Sequence, residues 1–280
     1  MRLILLTVLT MVAFAANSVL NRLAVGGGAL DPQAFAVVRL ASGALTLAVL
    51  LGFRHWLASG VVWPGWPGRL AGVAGLLSYL FGFSLAYQQL SAGTGALVLF
   101  GTVQITMFAG AVRAAEAIAP RRWVGAGLAF AGLCLLVATQ VQQAGAYALA
   151  AMALAGFGWG VYSLAGRRAA DALAATAWNF GLALPLALII WGASGWTGLQ
   201  SVTAPGVELA ILSGAVTSGL GYALWYRVLP DLGAARAAVA QLTVPVIAAA
   251  GGLTLIGEGV TWRFVLSALI VLSGVGLASR

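Results

Sequence analysis

The chain has 280 residues, of which 62% are hydrophobic and only 7% charged, with a mean hydropathy of +1.02 and a formal net charge of +8. A soluble domain carries about a quarter charged residues, so this chain has too little polar surface to face water on all sides. All its basic residues are arginines spread along the sequence, which excludes a concentrated nucleic-acid patch, and the single cysteine (Cys134) and single histidine (His55) exclude an intrachain disulfide, a thiolate metal cluster, histidine-based metal sites and catalytic triads. No cofactor is expected.

Taken in order, the apolar segments predict ten spans of roughly the 20 residues that a bilayer needs: 3–24, 32–53, 68–89, 92–112, 121–139, 146–165, 173–193, 205–226, 232–255 and 261–279. The first follows Arg2 and lacks a small-residue cleavage site, so it is read as a retained helix rather than a signal peptide. Pro32, Pro120 and Pro205 stand near span starts, where a missing N–H costs little. Pro185 and Pro245 fall inside spans and are expected to act as kinks or hinges. Trp56, Trp63, Trp66, Trp123, Trp191, Trp196 and Trp262 cluster near predicted ends as an interfacial belt, and Tyr87, Trp178, Trp225 and Tyr226 are read the same way. Small residues at helical spacing (Ala71 with Gly75, Gly125 with Ala129, Gly156 with Gly160) predict close helix packing.

With the N-terminus in the cytoplasm, Arg2, Arg54, Arg69, Arg113, Arg121, Arg122, Arg167, Arg168, Arg227, Arg236 and Arg280 fall on the cytoplasmic side. Arg22 and Arg263 fall outside. That bias fits ten spans with both termini inside. The polar run Gln140–Gly145 divides the chain near its midpoint, and the halves resemble each other. Gly82-Phe83-Ser84-Leu85-Ala86-Tyr87 matches Gly221-Tyr222-Ala223-Leu224-Trp225-Tyr226, and Glu116, Arg121 and Gly132 recur as Glu258, Arg263 and Gly274. The fold class is therefore an all-α integral membrane protein of ten transmembrane helices, with residues 1–139 and 146–280 as two five-helix repeats. An odd number of spans per repeat inverts the second copy, as in many secondary transporters.

Polar side chains deep in a span often mark a pathway. Asn17 and Asn21 share one face of the first span, Asn17 as an interhelical hydrogen bond or a cavity residue, Asn21 and Arg22 nearer the interface. Gln104 and Gln241 occupy equivalent positions in the two repeats. Tyr79 and Trp159 are too deep for a belt, and their polar tips need partners. Asn17, Tyr79, Gln104, Trp159 and Gln241 are the candidate cavity residues. Arg39 is the one charge well inside a span, satisfied by snorkelling or by Asp31, or else anchoring a substrate carboxylate. Every acid falls at a predicted end or loop, so transport is expected to proceed without a titrating side chain inside the membrane.

Phe14-Ala15-Ala16-Asn17-Ser18-Val19-Leu20-Asn21-Arg22-Leu23-Ala24, Asp31-Pro32 with Phe35 and Arg39-Leu40-Ala41-Ser42-Gly43-Ala44, and Gly257-Glu258 with its weaker echo Ala115-Glu116 together resemble the drug/metabolite transporter superfamily. Within it, the chain resembles the EamA-type branch of ten-helix exporters, and most of all bacterial exporters of aromatic and other neutral amino acids. The resemblance implies an inner-membrane protein, both termini cytoplasmic, whose partners are a small-molecule substrate and the lipid bilayer and for which a monomer suffices. It implies alternating access through a cavity shared by both repeats. The alternative transport reading is an exporter of cationic drugs or other small metabolites. A membrane-embedded enzyme is disfavoured because it needs a base or nucleophile that the lone His55 hardly supplies.

Overall fold

The computed structural model describes residues 1–57, 65–115, 119–166, 169–196, 198–241 and 243–278, with the backbone alone at 139–144, 201, 226, 229–230, 233–239 and 278. The described residues are helical throughout, with short turns and no strand. Eight helices are long and apolar enough to cross a membrane: α1 (Arg2–Gly26), α2 (Pro32–Leu57), α3 (Arg69–Ala86), α4 (Ala92–Arg113), α5 (Pro120–Ala138), α6 (Gly145–Gly166), α7 (Ala172–Ala193) and α8 (Ala204–Trp225). Two shorter apolar helices follow, α9 (Thr243–Ile256) and α10 (Trp262–Leu277).

Helix starts are fixed by the residues that cap them. Asp31 accepts from the backbone N–H groups of Gln33 and Ala34 at 2.8 and 3.3 Å ahead of α2. Ser91, Asp171 and Thr203 do the same for α4, α7 and α8. Each satisfies a donor that would otherwise be orphaned. Helical backbone joins α5 to α6, broken only at Gly145, which adopts φ 74°, ψ 150°. A positive φ of this kind suits glycine, and it stands at the end of the polar run that divides the sequence.

The last third departs from expectation. Helix continues from Gly221 to Gln241 across the expected break at 227–231, and the next begins at Thr243. Pro245 therefore sits in the first turn of α9 rather than at a mid-span kink. Pro185 lies inside α7, whose helix is continuous around it. Three stretches run in wider π-helical turns: Arg22–Gly26, Ser213–Leu220 and Gly252–Ile256.

The apolar exterior has interruptions that the sequence reading did not foresee. Trp56, Trp66, Trp123, Trp178, Trp196 and Trp262 are exposed, but Trp191, Trp225 and Tyr87 are buried. Tyr87 gives its hydroxyl to Ala92 O at 3.2 Å, so it closes the α3–α4 turn instead of joining a belt. Trp63 lies outside the described residues, and so does the side chain of Tyr226.

Small residues bring backbones together. A Cβ placed on Gly75 would stand 2.6 Å from Gly158 O, and one on Gly158 2.6 Å from Gly75 O, so α3 and α6 are in backbone contact. Gly156 and Gly160 face Thr102 and Thr106 of α4, and Gly274 of α10 faces Gly125 and Ala129 of α5. Ala71, expected in the α3 seam, is exposed instead, and Gly72 faces Asn179. The helix pairs also follow a rule. α3 packs on α6 as α8 does on α1, α4 on α6 as α9 on α1, and α2 on α8 as α7 on α3. α2 with α7, α4 with α9 and α5 with α10 pair directly.

Overpacking a close contact costs about 1–3 kcal/mol. Gly75→Val and Gly158→Val are therefore expected to lower thermal stability in detergent, whereas Gly127→Val should not, since nothing lies within 4 Å of the place its Cβ would take. Equal melting of all three variants would dismiss the α3–α6 contact as a stability determinant.

Candidate functional site

The helices leave a small cavity at mid-depth. α1 contributes Phe14 and Asn17, and α3 contributes Tyr79 and Phe83. Leu99 and Phe100 of α4, Trp159 of α6 and Tyr222 of α8 complete the wall. The space open to the centre of a water-sized sphere is about 20 Å³, which suits one water. The cavity is thus small.

Its walls are aromatic and mutually packed. The Trp159 ring lies 5.0 Å from Tyr79, 5.1 Å from Tyr222 and 5.3 Å from Tyr162, stacked on the last. Phe14 meets Tyr222 and Trp225 edge-on at 5.9 and 5.7 Å. Edge and offset contacts of this kind each add about 0.5–1.5 kcal/mol beyond area burial. Phe83 and Tyr222, matched residues of the two halves, both line the cavity.

Polar groups tie this wall to α8. Asn17 is 2% exposed, and its Oδ1 accepts from Ser213 Oγ at 2.7 Å, with Thr217 Oγ1 against the same oxygen. Arg39 is 0% exposed and donates from Nε to Ser218 Oγ at 3.0 Å and from Nη2 to Tyr79 Oη at 2.7 Å. Its guanidinium lies 5.1 Å from the Tyr79 ring centre and 5.0 Å from that of Phe83. Neither snorkelling nor Asp31 satisfies it, because Asp31 is occupied in capping α2. Ser213, Thr217 and Ser218 all belong to the π-helical stretch of α8, whose wider turns present hydroxyls to both α1 and α2.

Of the expected cavity residues, Asn17, Tyr79 and Trp159 come together here. Gln104 is half-buried on α4, a turn beyond Phe100, and Gln241 is half-buried at the end of the helix that continues α8; neither is in the lining. Asn21, expected near the interface, is fully buried and donates to Ser84 Oγ at 3.0 Å. The hydroxyl run Ser213-Gly214-Ala215-Val216-Thr217-Ser218 was the overlooked signal: three small polar groups inside an apolar span.

Charges close both ends. At one, Arg22 Nε donates to Glu258 Oε1 at 2.8 Å, and Arg22 Nη1 to the carbonyls of Tyr87 and Gln88, both at 3.0 Å. Glu258 Oε2 accepts from Ala92 N at 2.8 Å, capping α4 from the far half of the chain. A second cavity, about 240 Å³, opens beside this pair. At the opposite end Arg54 makes a two-pronged ion pair with Asp171. Arg69, expected to be cytoplasmic, is buried there and donates to Ala175 O at 2.7 Å and Asn179 Oδ1 at 2.8 Å. Glu116 lies outside the described residues.

Residues 1–138 and 146–280 each match the EamA-like transporter family. The chain belongs to that family. Members of the EamA family are transporters rather than enzymes, so this chain is a membrane transporter of small molecules. The uncharacterized protein PA1977 of Pseudomonas aeruginosa is 43% identical over 278 residues, covering 99% of this chain and 94% of the relative. A protein crystal structure superposes with a TM-score of 0.65 at 18% identity, covering 96% of each chain, which speaks to the fold alone.

The ion pair at Asp171 makes a pH prediction. Burial alone would raise its carboxyl, but the Arg54 hydrogen bonds and charge, with backbone N–H groups of Ala174 and Leu173, outweigh that and hold it below the ordinary 3.8. A depressed folded value stabilises above the unfolded one, and that contribution fades as pH falls through the folded value. Thermal stability in detergent is expected to fall more steeply for the parent protein than for Asp171→Asn between about pH 5 and about pH 2. Parallel pH profiles would show that the pair contributes nothing.

Proposed function

We propose that this EamA-family protein exports amino acids with aromatic or bulky apolar side chains across the bacterial inner membrane by alternating access. The observation that carries the reading is the aromatic cavity at mid-depth, walled by helices from both halves and closed at both ends by charged groups. Trp159, Tyr79 and Phe83 would pack the side chain of the cargo, and Asn17 would meet its polar head. Gln104 and Gln241 would join the lining as the cavity opens toward the Arg54 end.

In this reading the chain crosses the membrane ten times with both termini cytoplasmic, as two inverted five-helix repeats over 1–139 and 146–280. The reciprocal helix pairing supports a pseudo-twofold relation, and the matched wall residues Phe83 and Tyr222 fit it. A monomer suffices, since the cavity is complete within one chain. The two ends would open in turn, Arg22–Glu258 parting in one state and Arg54–Asp171 in the other. Pro185 and Pro245 remain the proposed hinges. Without an acid or histidine in the cavity lining, transport would run down the solute gradient, with no proton carried on a side chain.

Proteoliposomes of the purified protein are expected to show saturable uptake of labelled tryptophan and phenylalanine that equilibrates whatever pH gradient is imposed. Concentrative uptake driven by the gradient would overturn the uncoupled mechanism, and no flux for any amino acid would overturn the cargo. Trp159→Ala is expected to weaken tryptophan transport about tenfold, as loss of about 1.4 kcal/mol of ring packing would, while alanine transport changes little. Equal losses for both would make Trp159 a structural residue.

In a Cys134→Ser background, a cysteine at the buried position Thr94 reads the Arg22 end. Glu258→Ala should speed its modification by a membrane-impermeant maleimide, because Arg22 and Ala92 N lose their shared carboxylate. An unchanged rate would mean that Glu258 does not hold this end closed.

A further inference from the structure

The central cavity is electrostatically one-sided. A guanidinium stays charged at any physiological pH, and Arg39 is wholly buried, yet its described partners are neutral: two hydroxyls and two ring faces. Its Nη1 has no hydrogen-bond partner. Among the described residues every acid is engaged or remote. Asp31 caps α2, Glu258 holds Arg22, Asp171 holds Arg54, Asp231 lies beside Arg227, and Glu208 is exposed. None lines the cavity. A buried charge without a counter-ion is costly, and inside a membrane such a group is a candidate site for receiving an opposite charge.

The cavity side of this cation is a donor surface. Arg39 stands one side chain behind the wall, against Tyr79 and Phe83. Tyr79 accepts from the guanidinium, which leaves its own O–H to give and strengthens it as a donor through polarisation. Tyr222 brings its buried phenol up to that of Tyr79, and its hydroxyl makes no hydrogen bond of good geometry. A carboxylate placed between the two phenols would accept from both and neutralise Arg39 through Tyr79. An ammonium group finds no anion there, only the Asn17 amide, whose oxygen already accepts from Ser213 and Thr217, and ring faces that lie in the field of a cation.

We infer that the cavity recognises a carboxylate, and that an α-amino group is dispensable. The cargo class is then aromatic and bulky apolar monocarboxylates, of which amino acids are one part. This rests on the transport reading above and extends it from amino acids to the wider class of carboxylates, and it sets the cationic-drug alternative aside.

The test is competition against labelled phenylalanine in proteoliposomes preloaded with unlabelled phenylalanine. The competitors are 3-phenylpropionate, which lacks the ammonium, and phenethylamine, which lacks the carboxylate. Phenylpropionate is expected to compete within about threefold of phenylalanine, and phenethylamine at least about tenfold more weakly, the ratio given by about 1.4 kcal/mol of lost charge pairing. The reverse order, or equal competition by both, overturns the inference. Should the protein move no phenylalanine, labelled phenylpropionate is supplied directly. Saturable flux then upholds the carboxylate site while removing the amino-acid reading, and no flux of either compound overturns both. Arg39→Lys is expected to keep the preference and Tyr79→Phe to reduce it; should Arg39→Gln fold, it should abolish it. If a substitution fails to fold, the competition order of the unmodified protein still decides.

Discussion

A guanidinium buried among helices in an apolar bilayer sets the arrangement of this protein's centre. Arg39 cannot shed its proton, and without water around it every donor has to be met from within. Ser218 and Tyr79 meet two of them, which joins α2 to α8 and to α3. Asn17 makes the same demand from α1 and is met by Ser213, with Thr217 against the same oxygen. Both demands converge on one stretch of α8. An ordinary α-helical turn aligns residues three and four apart on one face; the wider turns of Ser213–Leu220 spread them, so that one short segment serves two neighbours. Widened turns are rare and recur at functional sites, and here the reason is visible in the polar groups that they supply.

The membrane character, most spans and three cavity residues were legible in the sequence, because each depends on local information. Apolar length reports a bilayer span whatever its neighbours, and depth alone makes Tyr79 and Trp159 unfit for an interface. What was not legible depends on which helix faces which. Tyr87 and Trp225 lie near span ends, as belt residues do, but α3 and α8 turn them inward. Ser213, Thr217 and Ser218 resemble the small residues that merely allow close packing, and only the positions of Asn17 and Arg39 give them a role. The break before α9 was misplaced because Arg227, Pro230 and Asp231 look like a loop, whereas the helix runs through them to Gln241.

Charge is distributed by depth. At the ends, each described long-range ion pair has its partner at hand and some exposure: 22% and 14% for the side chains of Arg22 and Glu258, 38% and 27% for Arg54 and Asp171. Partly exposed pairs are weak individually, which would suit contacts that form and part in the proposed alternating cycle. Glu258 gains weight by also capping α4, since a carboxylate favours a helix N-terminus. Arg39 has no such exposure and no acid beside it. Weak pairs at the ends can exchange with water; the central cation, in the reading proposed above, would find its counter-charge in the cargo.

A cavity of about the size of one water bears on how cargo would be admitted in the proposed cycle. Gly75 and Gly158 bring the backbones of α3 and α6 into contact, and a close-packed contact has no slack through which to yield gradually. The wall made by α3 and α6 therefore holds its shape best where it is glycine-packed, beside Tyr79 and Trp159. Opposite it stand Phe14 and Tyr222, which meet that wall through ring contacts, and these re-form at small cost after sliding because several ring orientations are nearly equal in energy. In the proposed transport cycle, room for a cargo ring would be gained most readily by parting rings from rings, α1 and α8 drawing away from α6. Such a movement would leave Tyr79 on its rigid support, and Arg39, which bonds both Tyr79 of α3 and Ser218 of α8, would be the link that strains or parts as the space grows.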